Sequence, residues 1–149
     1  METRRDDGYE ISTAPERIDV RLVHRWLSTD AYWALGRELE TVERAVAASL
    51  NFGVYAPDGT QVGYARVVTD LATFAWYCDV YVDRAHRGRG LATWLTRTVR
   101  DHLAPYRLSR ILLVTRDAHE VYARAGFVPY PDPQRLMVHQ PSSAQTDQP

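Results

Sequence analysis

Apolar residues recur with the 3.6-residue period of a helix in three segments of this chain. From Leu91 to Leu103 they fall at i, i+3, i+4, i+7 and i+8, which predicts a helix with one buried face. The same spacing predicts helices over 18–27 and 38–50. A shorter one is predicted over 118–125, where the following Gly126 can adopt the left-handed conformation that closes a helix.

Other segments are rich in β-branched and aromatic residues, which predicts strands. The turn Pro57-Asp58-Gly59-Thr60 joins two of them into an antiparallel hairpin. The strand after the long helix is expected to pair in parallel, because a helical crossover favours that arrangement. The predicted strands cover 9–12, 51–56, 61–68, 73–82 and 110–115, with further ones beginning at Phe127 and over 136–139. Together the predicted strands and helices indicate an α/β fold with a mixed sheet and flanking helices.

The length of 149 residues fits one domain with a single core, expected over 9–139. Residues 1–8 alternate acids and bases, and residues 140–149 are rich in Pro, Ser and Gln, so we expect a flexible tail at each end. Since no apolar run is long enough for a membrane span or resembles a signal peptide, a cytoplasmic location is expected.

Charge and cysteine content restrict the function further. The formal net charge of −1 argues against a dedicated nucleic-acid binder, because such domains carry a large basic excess. The basic stretch from Arg84 to Arg89 does not change this conclusion. The single cysteine, Cys78, lies inside a predicted strand, so we expect neither an internal disulfide nor a bound metal.

A basic glycine loop separates the strand that ends at Val82 from the long helix. Gly88 and Gly90 alternate with Arg87 and Arg89 where the helix must begin. The unpaired N–H groups of a first helical turn, beside cations and without Cβ atoms in the way, form an anion site suited to a diphosphate. The alternative is a basic surface loop that only begins a helix.

The spacing favours a particular kind of phosphate site. Arg87-Gly88-Arg89-Gly90-Leu91-Ala92 lacks the Gly-Lys-Ser/Thr ending of a nucleoside triphosphatase and the G-x-G-x-x-G of a dinucleotide fold. It resembles the R/Q-x-x-G-x-G/A signature of the GNAT superfamily of acyl-CoA-dependent N-acetyltransferases. Val121–Phe127 resembles the family's aromatic-then-Gly-Phe motif downstream. The segments 63–70 and 115–119 resemble one bacterial subgroup without an assigned substrate.

The resemblance implies a single-domain GNAT fold in which the strands 73–82 and 110–115 splay apart, with acetyl-CoA as cosubstrate. It implies that the diphosphate lies on N–H groups from Gly88 to Thr93 and that the pantetheine arm pairs with the strand edge. The cofactor-binding residues it implies are Val80, Tyr81, Val82, Arg87, Gly88, Arg89, Gly90, Leu91, Ala92 and Thr93.

The resemblance assigns Tyr122 as the general acid that protonates the leaving thiolate; the alternative is a core aromatic. Thr115 stands where the family often has an asparagine. Asp79 interrupts an apolar strand and is a candidate base, since burial would raise its proton affinity. A structural carboxylate held by an arginine or tyrosine is an equal alternative. Asp70 and His119 are weaker candidate bases, and water is another.

An aromatic group in the first half of the chain is expected to wall the acceptor site, because the family usually builds its specificity there. It comprises Trp26, Tyr32 and Trp33, with Asp70 as a further candidate; core packing is the alternative. The chain is therefore interpreted as an N-acetyltransferase that acts on a primary amine, and a homodimer is possible. The alternative function is a non-catalytic acyl-CoA-binding regulator.

Overall fold

Six strands form one sheet in chain order in the computed structural model of this protein, which describes residues 1–140. Every neighbouring pair is antiparallel except the last, which is parallel. This is the mixed α/β sheet that the sequence predicted. The strands are β1 (Glu2–Arg4), β2 (Glu10–Ser12), β3 (Leu50–Tyr55), β4 (Gln61–Thr69), β5 (Phe74–Val82) and β6 (Arg110–Leu112).

Helices cover both faces of the sheet. Asp19 begins the first helix, because its carboxylate accepts a hydrogen bond from the backbone N–H of Leu22. The helices are α1 (Val20–Thr29), α2 (Leu39–Ala47), α3 (Leu91–Leu103) and α4 (His119–Ala123). No helix among residues 1–140 is both long and apolar enough to cross a bilayer.

The core consists of two clusters, one on each face. On one face the apolar side of α3, with Leu95 and Val99, packs against strand residues such as Phe52. On the other face α1 and α2 pack against the sheet through Val23 and Val42. The helical periodicity therefore identified the buried faces of α1 and α3 correctly, whereas the second helix, predicted to reach Leu50, ends at Ala47, and Leu50 begins β3.

The parallel pair β5–β6 separates after a short contact. Phe74 pairs with Arg110 and Trp76 with Leu112. Beyond this point residues 77–82 of β5 have no partner on that side in the described part of the chain. The predicted splay is confirmed, and it leaves a strand edge open beside the start of α3.

An extra residue interrupts the register between β4 and β5. Tyr64 pairs with Tyr81 and Arg66 with Cys78. The two-residue interval from 64 to 66 on β4 therefore lies opposite the three-residue interval from 78 to 81 on β5. Asp79 lies in this bulge with a φ of 51°. Aspartate tolerates the left-handed region better than most residues, and bulges re-aim side chains next to functional sites.

The bulge changes which residues of β5 share a face. Tyr77 before the bulge and Val82 after it belong to the core cluster under α3, with Val80 packed against it. Tyr81 belongs to the opposite cluster. Without the bulge, side chains would alternate strictly along β5, and Tyr81 would lie on the same face as Tyr77, towards α3. The bulge therefore determines which residues of β5 face α3 and which face α1 and α2 at the open edge.

The two ends of the described chain differ from the sequence predictions. Residues 2–4, expected in a flexible tail, form the edge strand β1. The alternating charges that suggested a tail pair across the sheet edge, since Arg4 bonds Glu10 at 2.8 Å and Arg17 bonds Glu2 at 3.2 Å. The tail predicted over 140–149 lies, apart from Gln140, outside the described residues.

The strands predicted from Phe127 and over 136–139 are absent from the described structure. The only regular element there is a single 3₁₀ turn, Pro133–Arg135. Prolines at 129, 131 and 133 remove every second backbone N–H donor, which prevents a sheet ladder from forming.

Candidate functional site

The splay between β5 and β6 opens a cavity of about 960 Å³, called here the splay cavity. Its walls are the open edge of β5, the loop after α1, and the segment from β6 to α4. The start of α3 contributes Ala92. A site of this size in a sheet gap is suited to a ligand that pairs with the strand edge.

The glycine loop, residues 87–90, presents the first turn of α3 to solvent. Gly88 and Gly90 have φ values of 74° and 72°, and an added Cβ at either would meet no atom of the described residues within 4 Å. No side chain among residues 1–140 caps the helix at Gly90. The N–H groups of the first turn are therefore free of side-chain acceptors, which is the arrangement that binds a diphosphate.

The arginines of this loop are partly engaged in the protein itself. Arg87 donates from Nε to the carbonyl of Val82 at 2.8 Å, which fixes the loop to the end of β5. The carbonyl of Arg89 accepts from Arg5 at 3.0 Å. Of the other residues assigned to the cofactor, Leu91 is buried in the core and Thr93 is half-buried in the first turn of α3.

Asp30, which sequence analysis missed, connects α1 to the glycine loop. Its carboxylate accepts from Arg84, from Arg87 at 3.3 Å and from the Tyr81 hydroxyl at 2.6 Å. The bonds from Arg84 and then Tyr81 lower the pKa of Asp30 well below its usual range. An aspartate at the end of a helix gives no sequence signal for partners more than fifty positions away.

Tyr122 lies in the wall of the splay cavity. Its ring packs edge-on against Tyr77 and Phe127, with both centroid distances 6.2 Å. Its hydroxyl has no hydrogen-bond partner among residues 1–140. Burial raises the pKa of Tyr122 to about 12, so the hydroxyl keeps its proton at neutral pH.

Asp79 also lines the cavity, but two guanidinium groups hold it. Its Oδ2 accepts from Arg66 at 2.8 Å and from Arg37 at 3.0 Å, and its side chain is only 4% exposed. This geometry is that of the structural carboxylate, the alternative to a base in the sequence analysis.

Two of the three aromatic residues expected at the acceptor site lie in the cavity wall. Tyr32 accepts from the backbone N–H of Arg116 at 3.3 Å, and the Arg116 guanidinium lies 3.8 Å from its ring centroid. Trp33 packs edge-on against Tyr32, and its buried Nε1–H has no partner among residues 1–140.

Trp26, the third residue expected at the acceptor wall, does not line the splay cavity. It is buried and stacks on Tyr81 with centroids 5.2 Å apart. It faces inward because the apolar stripe of α1, with Val23 and Leu27, packs on the sheet.

The other candidate residues lie outside the cavity. Asp70 accepts from the backbone N–H groups of residues 72, 73 and 74 and from the Thr73 hydroxyl, bonds that lower its pKa. It therefore closes the turn between β4 and β5 and does not line the splay cavity, where the sequence analysis had placed it as a candidate. His119 is exposed at the start of α4. Residues 1–140 hold no group of three or more His, Cys, Asp or Glu side chains arranged for a metal.

The sequence matches the model of the acetyltransferase (GNAT) family over residues 20–127. This range contains the glycine loop, the open edge of β5 and Tyr122. It begins with α1 and ends after α4, so it includes most of the residues that line the splay cavity.

Individual relatives agree with the family match. A GNAT-family protein of Xanthomonas campestris pv. campestris has 42% identity and a TM-score of 0.84, covering 93% of this chain and 97% of its own. A Gibberella zeae protein named as an acetyltransferase has 29% identity, covering 78% of this chain and 76% of its own length. The fold also matches a Vibrio cholerae spermidine N-acetyltransferase in complex with CoA and spermine, at 18% identity, TM-score 0.67 and coverage of 83% and 82%.

Proposed function

This chain belongs to the acetyltransferase (GNAT) family, and we propose that it transfers an acetyl group from acetyl-CoA to a primary amine. The amine, on a small molecule or on a peptide or protein, attacks directly in a ternary complex. The observation that carries the proposal is the open edge of β5, which lies next to the glycine loop and shares the splay cavity with Tyr122.

The glycine loop is proposed to hold the diphosphate of the cosubstrate. In the described part of the chain no side chain caps the N–H groups from Gly88 to Thr93, and the two glycines leave space for close approach. Residues 80–82 would pair with the amides of the pantetheine arm, as an added strand pairs with a sheet edge. The bound cosubstrate supplies the thioester carbon that the amine attacks.

Backbone N–H groups near the bulge are proposed to stabilise the developing oxyanion. The extra residue at Asp79 breaks the regular ladder next to Val80, which is where a re-aimed N–H can reach the splay cavity. A preorganised donor in a site with little water stabilises the transition state more than the ground state.

Tyr122 is proposed as the general acid. Its hydroxyl is unpartnered among the described residues, and its raised pKa keeps the proton in place until it is needed. A thiol has a pKa of ~8.5, so proton transfer from tyrosine in water is uphill, but a thiolate desolvated in the gap is a stronger base. The proton of Tyr122 then passes to the thiolate sulfur.

Removal of a proton from the acceptor ammonium is assigned to water rather than to Asp79. Both hydrogen bonds to Asp79 Oδ2 come from charged donors, which makes that oxygen an ion-pair anchor. His119 and Asp70 lie outside the cavity. Tyr32 and Trp33 are proposed to form the wall against which the acceptor packs.

The test is a screen of primary amines with acetyl-CoA, in which released CoA thiol reports turnover. Calorimetry with acetyl-CoA alone runs in parallel. Amine-dependent thiol release supports the proposal. Tight acetyl-CoA binding without turnover on any amine of a broad panel would instead favour the non-catalytic acyl-CoA-binding module.

A further inference from the structure

Two arginines share one carboxylate on the wall of the splay cavity. Arg37 precedes α2 and Arg66 lies on β4, and both donate to the same oxygen of Asp79, at 3.0 and 2.8 Å. We call Arg37 and Arg66 the arginine pair. Arg66 is held further by a bond from Nη1 to the Ser49 hydroxyl at 3.2 Å, so its guanidinium is preorganised.

The arginine pair carries one more positive charge than its surroundings balance. Among residues 1–140 no other carboxylate lies within 4.0 Å of either guanidinium. The Arg37 and Arg66 side chains are 24% and 16% exposed, so water screens the charge only in part. A largely buried charge without a counterion is unfavourable, and a bound anion would relieve it.

The remaining carboxylates of the cavity do not supply this anion. Asp30 is bound by Arg84, Arg87 and the Tyr81 hydroxyl at the glycine loop. Asp117 belongs to the segment between β6 and α4, and it forms no ion pair with the arginine pair.

The chemistry of the arginine pair determines which ligand groups it can bind. Arginine side chains offer hydrogen-bond donors only. A ligand group that satisfies the arginine pair must therefore bring acceptor oxygens, and planar guanidinium forks match carboxylate and phosphate oxygens.

We propose that the acceptor amine carries an anionic oxygen group, a carboxylate or a phosphate, which the arginine pair binds. This inference rests on the proposed acetyl transfer, because it places the anionic group on the acceptor. The arginine pair lies on the α1–α2 side of β5, whereas the glycine loop lies at the start of α3. The anionic end of the acceptor is thus held away from the diphosphate, and a polycationic amine is disfavoured.

The test compares acceptors that differ only in the anionic group. Phenylalanine is paired with phenylalaninamide, O-phosphoethanolamine with ethanolamine, and spermidine serves as a polycation. We expect the preferred anionic amine to exceed its uncharged partner in kcat/KM by about 10- to 100-fold, the range for hydrogen bonds to charged groups. The two pairs separate a carboxylate from a phosphate. Equal or better turnover of the uncharged amines or spermidine would overturn the inference and leave acetyl transfer intact.

Arg37→Gln provides the second arm, because Asp79 keeps Arg66 as its partner in that variant. In Arg37→Gln the ratio of kcat/KM for the anionic amine to that for its uncharged partner should fall to about 1. Arg25→Gln, on the exposed face of α1, should retain the wild-type ratio. If no amine is acetylated, calorimetry with the CoA-bound protein measures the same preference, comparing N-acetylphenylalanine with its amide and N-acetyl-O-phosphoethanolamine with N-acetylethanolamine. A preference for either anionic compound that is lost in Arg37→Gln supports the anion site even if acetyl transfer fails. If neither assay shows a preference for a carboxylate or a phosphate, the site is rejected.

Discussion

The hydroxyl of Tyr81 donates to Oδ2 of Asp30 at 2.6 Å, which connects the end of β5 to the residue that follows α1. The same carboxylate accepts from Arg84 and Arg87, on either end of the turn that leads into α3. The position of the glycine loop is therefore set by α1 as well as by the sheet.

Replacing Asp30 should alter how the Tm of the protein depends on pH under acidic conditions. Its pKa is lowered in the folded protein, so its contribution to stability is present above the unfolded value of ~3.9 and is lost as the pH falls through the folded pKa. Asp30→Asn should have a lower Tm at pH 7 and a flatter decline of Tm below about pH 5. Asp6→Asn, which removes an exposed carboxylate, is the control. An unchanged acid profile in Asp30→Asn would contradict the structure of this cluster.

Gly90→Val should prevent acetyl-CoA binding. A Cβ at Gly90 would point into space that residues 1–140 leave empty and that the proposed diphosphate site requires, and the φ of 72° adds backbone strain. Gly59→Val is a matched control, because Gly59 has a φ of 85° and equal space but lies in the turn between β3 and β4. Both variants should lose about 1–2 kcal/mol of stability. Only Gly90→Val should lose calorimetric binding; retained affinity in the folded variant would reject the loop assignment.

The sequence identified those parts of the fold that depend on local pattern. The amphipathic stripe of α3 and the spacing of its glycine loop are local, so the helix over 91–103 and its start at the glycine loop could be predicted. The bulge at Asp79 could not, because one extra residue on β5 is defined only against its partner strand. Asp30 was missed for the same reason, since its role depends on Arg84 and Tyr81 across the tertiary fold. The sequence alone could not show which aromatic residues near α1 are buried in the core and which line the cavity, because this depends on how that helix packs.

That division gives a prediction for two tryptophans close in sequence. Trp26→Ala should cost about 3–5 kcal/mol in denaturant unfolding, because Trp26 is buried against Tyr81. Trp33→Ala should mainly raise the acceptor KM, since Trp33 lines the splay cavity. Each variant is the control for the other. A large loss of stability in Trp33→Ala with an unchanged KM would place Trp33 in the core.

Tyr122→Phe should lower kcat by roughly 10²- to 10⁴-fold, the usual contribution of a positioned general acid. Acetyl-CoA affinity and Tm should hardly change, because the ring contacts with Tyr77 and Phe127 remain. With a pKa of about 12, the tyrosine should not ionise between about pH 7 and 10, so kcat should show no loss from its titration there.

Tyr77→Phe is the control for that experiment. Its hydroxyl lies 3.3 Å from Thr96 Oγ1 in the core, so its removal should cost about 1 kcal/mol of stability and leave kcat nearly unchanged. Wild-type turnover in Tyr122→Phe, measured where chemistry limits the rate, would remove Tyr122 from the mechanism and leave water as the proton source.

Asp79→Asn distinguishes a base from an ion-pair anchor. Asparagine also tolerates the left-handed backbone at this position, where φ is 51°, so the variant removes the charge without forcing the bulge to rearrange. If Asp79 anchors the arginine pair, the loss of its charge should cost about 3–5 kcal/mol of stability, because two largely buried guanidinium groups lose their counterion. A coupling energy of about 0.5–3 kcal/mol with Arg37→Gln in a double-mutant cycle should confirm the contact.

In Asp79→Asn, kcat measured below the Tm of the variant should stay within about 10-fold of wild type, since a lost general base would cost roughly 10²- to 10⁴-fold. A collapse of kcat in that range with stability unchanged would make Asp79 the base and assign the proton of the acceptor ammonium to its carboxylate.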